Sequence, residues 1–201
     1  QDGTVTLIRN IAGTTAVAGG SMTMAGTRVI TSNLTTGAVD LATISASANI
    51  TINGNLTGGT AANADCVVCS TTGVTLTING NVNGGSGTTA TGILYSGGTG
   101  TITITGDVTG GSVATAAGIS HSATTGSISI TGTMTGGTHA TAYGMTKTGV
   151  VSSLTINGNL VGATSAAVNA NAGVVTIAGN LSTSSAAPLN AGGATLTLTT
   201  S

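Results

Sequence analysis

The sequence of 201 residues has no Phe, no Trp and a single proline, Pro188, and its only tyrosines are Tyr95 and Tyr143. A surface that binds through rows of stacked aromatics is therefore hard to build from it. Charge is equally scarce, at 3 % of the residues, against about a quarter in an average globular chain. The acidic residues are Asp2, Asp40, Asp65 and Asp107, with no Glu, and the basic ones are Arg9, Arg28 and Lys147, for a formal net charge of −1. No basic patch exists to displace counterions from a phosphate backbone, which excludes nucleic acid as a partner. So few carboxylates supply neither a paired acid and base nor a calcium cage, so no catalytic residue, metal or cofactor is assigned. Thr, Ser, Asn and Gly interrupt every apolar stretch well before the ~18 residues of a spanning helix, and no transmembrane segment is expected. The chain starts without Met and without a basic and then apolar leader, so Gln1 reads as the first residue left after leader removal. The expected location is extracellular, at a cell surface.

What is present in quantity is glycine, 34 residues, and a repeat. The segment ITINGNLTGGT from Ile50 returns as LTINGNVNGGS from Leu76, ITITGDVTGGS from Ile102, ISITGTMTGGT from Ile128 and LTINGNLVGAT from Leu154, a spacing of 26 each time. Shorter versions follow at Val175 and Leu196, each 21 residues on, and a degenerate one, MTMAGT, stands at Met22, 28 residues before Ile50. A second set of columns aligns Ala64, Ala90, Ala116 and Ala142, and Val67, Ile93, Ile119 and Met145. At least two short strands are thus written into each repeat.

Each apolar-Thr-apolar element alternates at period two, as a strand with one buried face does, and the Asn-Gly or Thr-Gly after it supplies a turn. Apolar helical spacing is absent, and so much Gly and Thr penalises helix. A hairpin-built sandwich would not return the same residue at the same phase five times, whereas a solenoid stacks equivalent positions about 4.8 Å apart. The expected fold is all-β, a parallel β-helix (β-solenoid) with about 26-residue coils, with residues 1–39 as degenerate rungs or a cap and 40–201 as the solenoid repeats. The inward stacks predicted from phase are Ile50, Leu76, Ile102, Ile128 and Leu154, then Ile52, Ile78, Ile104, Ile130 and Ile156, then Leu56, Val82, Val108, Met134 and Leu160. These motifs, with Gly92-Ile93 and Gly118-Ile119, resemble the right-handed parallel β-helix repeats of secreted prokaryotic surface proteins, such as autotransporter passengers and filamentous-haemagglutinin-like chains. The resemblance implies the right hand of the coil and brings no catalytic motif with it.

Several constellations invite a functional reading. Outward columns on the main strand hold Thr51, Thr77, Thr103, Ser129 and Thr155, flanked by Thr75 and Thr101 on one side and Thr105 and Thr131 on the other. Such a lattice resembles the TxT faces of β-solenoid ice-binding proteins, while Thr is also an ordinary solvent-facing strand residue. Cys66 and Cys69 are the only cysteines, and three residues along an extended strand lie about 10 Å apart, too far for a disulfide without a bend. They stand as a candidate local bridge, an intermolecular cross-link or two inert thiols. The column Cys69, Tyr95, His121 and Lys147 has no carboxylate and reads as a surface ladder. Asp107 takes the turn column of Asn55, Asn81, Thr133 and Asn159 and reads as a structural turn residue, while His139 and Tyr143 flank a further turn without partners. The strand-like ends, Val5 and Leu7 at one and Leu196 and Leu198 at the other, are candidates for end-to-end contact. The expected function is a non-enzymatic, self-assembling structural subunit of a filament, sheath or surface layer, with copies of itself as partner. The alternative is an ice-binding protein, and a glycan is the weaker third ligand.

Overall fold

The computed structural model describes residues 15–17, 22–36, 40, 42–150 and 152–199. Among these there is no helix, and every strand pairing is parallel. The chain winds as a β-solenoid with three strands, and so three faces, in each full coil. The first face stacks Val67–Cys69, Ile93–Tyr95, Ile119–His121, Met145–Lys147, Val168–Ala170 and Leu189–Asn190. The second stacks Val74–Ile78, Gly100–Ile104, Ser127–Ile130, Ser153–Ile156, Val174–Ile177 and Thr195–Leu198. The third runs from Leu34–Thr36 through Leu56–Thr57, Val82–Asn83, Val108–Thr109, Met134–Thr135 and Leu160–Gly162 to Leu181–Thr183.

The three predicted inward stacks are the core, each of their residues buried to 1 % exposure or less. The register joins Leu76 to Ile102, Ile102 to Ile128 and Ile128 to Leu154, so like packs on like up the axis. Each such side chain contributes about 1.5–3 kcal/mol by leaving water, and no single coil could bury it alone. At the corner between second and third faces, Gly54, Gly80, Gly106, Gly132 and Gly158 stack so closely that a Cβ on any of the last four would strike the carbonyl of the glycine below. That contact is why these stacked rungs hold glycine, while Ser32 occupies the position below Gly54.

Two features depart from the sequence expectation. Met22 does not occupy the place of Ile50: the strand Met22–Ile30 pairs Met22 with Ala42 and Met24 with Ile44, while Arg28 and Ile30 meet Ile50 and Ile52. A register shift between Met24 and Gly26, where Gly26 has φ 68°, absorbs the extra residues that made MTMAGT look like a repeat start. The coils also differ in one corner. Between third and first faces the chain spends nine residues (58–66, 84–92, 110–118, 136–144) in four coils but five (163–167, 184–188) in the last two.

Candidate functional site

The column of reactive side chains lies inside the solenoid, which corrects its reading as a surface ladder. Cys69, Tyr95 and Lys147 are 0 % exposed and His121 is 1 % exposed. Register places them in one line, with Ile44 before and Ala170 after. The reason is the strand period: Ile119 faces the core, so His121, two residues on, must face it too. The long side chains reach the corner between first and second faces. Tyr95 Oη donates to Gly98 O at 3.0 Å, and its phenol fills the space a Cβ on Gly100 or Gly126 would need. Lys147 Nζ donates to Gly149 O (2.8 Å), Ser152 Oγ (2.7 Å) and Ala172 O (3.0 Å), and a Cβ on Gly173 would collide with it. The ammonium thus serves as a polar cap for turn carbonyls, and burial lowers its pKa. His121 stands edge-on to Tyr95, ring centroids 5.0 Å apart, and neither ring nitrogen has a hydrogen-bond partner. Burial, reinforced by the Lys147 charge, pushes its pKa down to about 4, so the imidazole is neutral. Without a carboxylate to orient it or an opening to substrate, the column holds the core together and offers no access for chemistry.

Cys66 and Cys69 are free thiols, both 0 % exposed. Cys66 Sγ donates to Leu34 O at 3.3 Å, and burial pushes both thiols up to about 12. A local bridge is not formed and a cross-link to another molecule has no exposed sulfur to use, so of the three readings the two inert thiols match the geometry. Asp107 belongs to a ladder in which each side chain accepts from the amide one coil on: Asn33 from Asn55, Asn55 from Asn81, Asn81 from Asp107 and Asp107 from Thr133, at 2.8–2.9 Å. His139 is not without a partner, because Nδ1 accepts from the Thr141 amide at 3.3 Å and lies 3.1 Å from its hydroxyl. Among the described residues no group of three or more His, Cys, Asp or Glu could hold a metal ion.

The second face carries the hydroxyl lattice in register. Thr51, Thr77, Thr103, Ser129 and Thr155 form one column, extended by Thr176 and Thr197, beside the column of Thr75 and Thr101. Thr105 and Thr131 continue the line just past the strand ends, and the Thr105 hydroxyl lies 3.3 Å from both Ile78 O and Asn79 Oδ1. Leu196 and Leu198 lie on the last described coil, 40 % and 57 % exposed. Val5 and Leu7 fall outside the described residues. No helix of the described chain is long and apolar enough to cross a membrane.

Sequence reasoning missed Asp65, which is 5 % exposed and takes the Thr91 amide (2.7 Å) and hydroxyl (2.6 Å) on Oδ1. Burial raises its pKa even against those two bonds. The 26-residue spacing of Asp65, Thr91, Ala117 and Tyr143 was the signal that could have found this column. No family model, no curated protein and no solved structure matches the chain.

Proposed function

We propose that the protein is a non-enzymatic structural subunit of an extracellular filament, sheath or surface layer, of the kind its repeats resemble, and that its solenoids join end to end with copies of themselves. The observation that carries this reading is the last described coil, where Leu181, Leu196 and Leu198 are exposed and the first and last of them line a hollow of about 370 Å³. Thr195–Leu198 there pairs with Val174–Ile177 on one side only among the described residues, leaving an edge of N–H and C=O groups. Unlike ends that meet head to tail do not close on themselves but propagate, and a net charge of −1 opposes little. Negative-stain microscopy and light scattering of the purified protein should reveal filaments or sheets that lengthen with concentration. Monodisperse particles of single-subunit size at high concentration would overturn the proposal.

A second reading, ice binding, is favoured by the in-register Thr columns of the second face, where neighbours lie about 4.8 Å apart along the axis and about 6.8 Å along the strand. Under it a monomer inhibits ice recrystallisation, and Thr103→Tyr, in the centre of the lattice, abolishes the effect with the fold intact. Wild-type protein without effect on ice growth removes it.

A further inference from the structure

The nine-residue corner is a departure the solenoid does not need, since the last two coils close the same corner with five residues. In four successive coils this corner carries an extra turn, closed by the amide of Ala64, Ala90, Ala116 or Ala142 on the carbonyl three residues back. Asn63, Thr89 and Thr115 hold this turn in the left-handed region, at φ 56–60°. For a β-branched threonine that conformation is sterically unfavourable. The turns stack into a wall, braced by bonds from Thr89 Oγ1 to Asn63 Oδ1 and from the Thr115 amide to Thr141 Oγ1. Leu94, Ser120 and Thr146 of the first face form the opposite wall. Between them lies a groove of about 320 Å³, whose floor is formed by Asp65, Thr91 and Tyr143, with the buried Ala117 at the same phase in the third coil.

We propose that this groove binds a neutral, unbranched polysaccharide laid along the solenoid axis. The lining combines hydroxyls, one amide and the apolar side chain of Leu94, with a carboxylate at one end and an aromatic ring at the other. All of the Asp65 hydrogen bonds are received by Oδ1, so Oδ2 is available to accept from sugar hydroxyls, a charge-assisted bond. Tyr143 is half-buried and its hydroxyl has no partner among the described residues, so it offers a ring face to a sugar C–H surface and a polar tip beside it. The Thr115 hydroxyl donates to Ala114 O at 2.7 Å, which leaves its oxygen able to accept, while the single Thr89 proton is shared between Asn63 Oδ1 and Thr88 O. The four coils span about 14 Å at a step of about 4.8 Å, close to the length of an extended pyranose unit, so equivalent hydroxyls meet successive sugars. No Lys or Arg lines the groove, which removes an anionic chain from consideration. An extended peptide is also disfavoured, because the backbone donors and acceptors of the walls point along the axis into neighbouring coils and the groove offers no strand edge.

The binding surface is separate from the coil ends and the Thr lattice, so the proposal stands or falls independently of assembly. The test is titration calorimetry of the full chain with three soluble neutral polysaccharides, a β-1,3-glucan, a linear mannan and hydroxyethyl cellulose, and with polygalacturonate as the anionic control. Saturable heat with at least one neutral chain is expected. Affinity should fall about tenfold in Tyr143→Ala. It should vanish in Thr146→Trp, which fills the groove from the first face without touching the core. Thr103→Trp, on the second face, should bind as wild type, and far-ultraviolet spectra confirm that each variant keeps its strands. No heat with any neutral polysaccharide, heat with polygalacturonate alone, or undiminished binding by both groove variants would overturn the assignment.

Discussion

Burial of His121 without a hydrogen-bond partner ties the stability of the fold to pH. Its pKa is about 4 in the folded chain against 6.5 for a free side chain. Below pH 6.5 the unfolded chain takes up a proton that the folded one refuses until about pH 4. Stability present above 6.5 is therefore lost across that window, by up to about 3 kcal/mol. The Lys147 penalty acts in the same direction, relieved as pH rises towards 10.5, whereas Asp65, with a raised pKa, is relieved by acid and partly offsets the histidine. Replacing His121 by Leu should accordingly raise the urea midpoint much more at pH 5 than at pH 8. Equal shifts at the two pH values would show that the imidazole does not titrate with unfolding. The phase of the main strand gives a second test at this scale. Ile104→Asp places a charge among 0 % exposed side chains and should cost several kcal/mol, while Thr103→Asp, one residue away on the outer face, should cost about 0.5 kcal/mol or less. Similar denaturation midpoints for both would contradict the inward assignment.

Among the elements, the asparagine ladder at the corner of second and third faces shows both its rule and a gap. Asn159 Oδ1 accepts from the Asn180 amide at 3.0 Å, but the rung before it is Thr133, whose side chain makes no such bond to the Asn159 amide. Thr133→Asn should complete the ladder and stabilise the fold by about 1 kcal/mol, and Asn81→Ala, which strips the acceptor from the Asp107 amide, should destabilise it by a similar amount. Thermal melts of the two variants moving in the same direction would refute the ladder's role. This column, the alternation of ITI and LTI and the 26-residue step were all legible in the sequence, because each position answers to one local rule repeated coil after coil. Of the third face only the inward column from Leu56 to Leu160 was legible, since strands such as Leu56–Thr57 are two residues long and show no alternation. Tyr95, His121 and Lys147 break the apolar-inside pattern, so only their phase relative to Ile93, Ile119 and Met145 could have placed them in the core. The groove was hidden for a further reason: it depends on threonines at positive φ, where sequence rules look for glycine or asparagine. Asparagine already stands at Asn63 in that column, so Thr115→Asn should relieve backbone strain and raise stability by about 0.5 kcal/mol without altering the groove's depth. A lower melting temperature would count against strain at that turn.

At the scale of the whole molecule, a solenoid has no closed core: each coil is covered by the next, and the energetic question is what covers the last. From Leu154 to Ile156 the inward residues are fully buried, and at Val175 and Ile177 they still are, but Leu196 and Leu198, which continue the same two columns, are 40 % and 57 % exposed. Stacking a further coil on them would bury that apolar surface and pair the free strand edge at once, both contributions favouring association. Leu181 on the third face, 41 % exposed, would be covered by the same event. Replacing Leu196 and Leu198 by Lys places two charges on the surface to be joined, and like charges meeting the apolar cross-section of another subunit carry a desolvation cost with no partner to offset it. Because these residues lie beyond the fully buried coils, the variant should keep its strand spectrum and lose little stability. Its light scattering should report a short, soluble species at concentrations where the wild type forms filaments. Filaments of undiminished length from the doubly substituted chain would show that the coil ends are not the joint, and would move the search for it to the hydroxyl lattice of the second face.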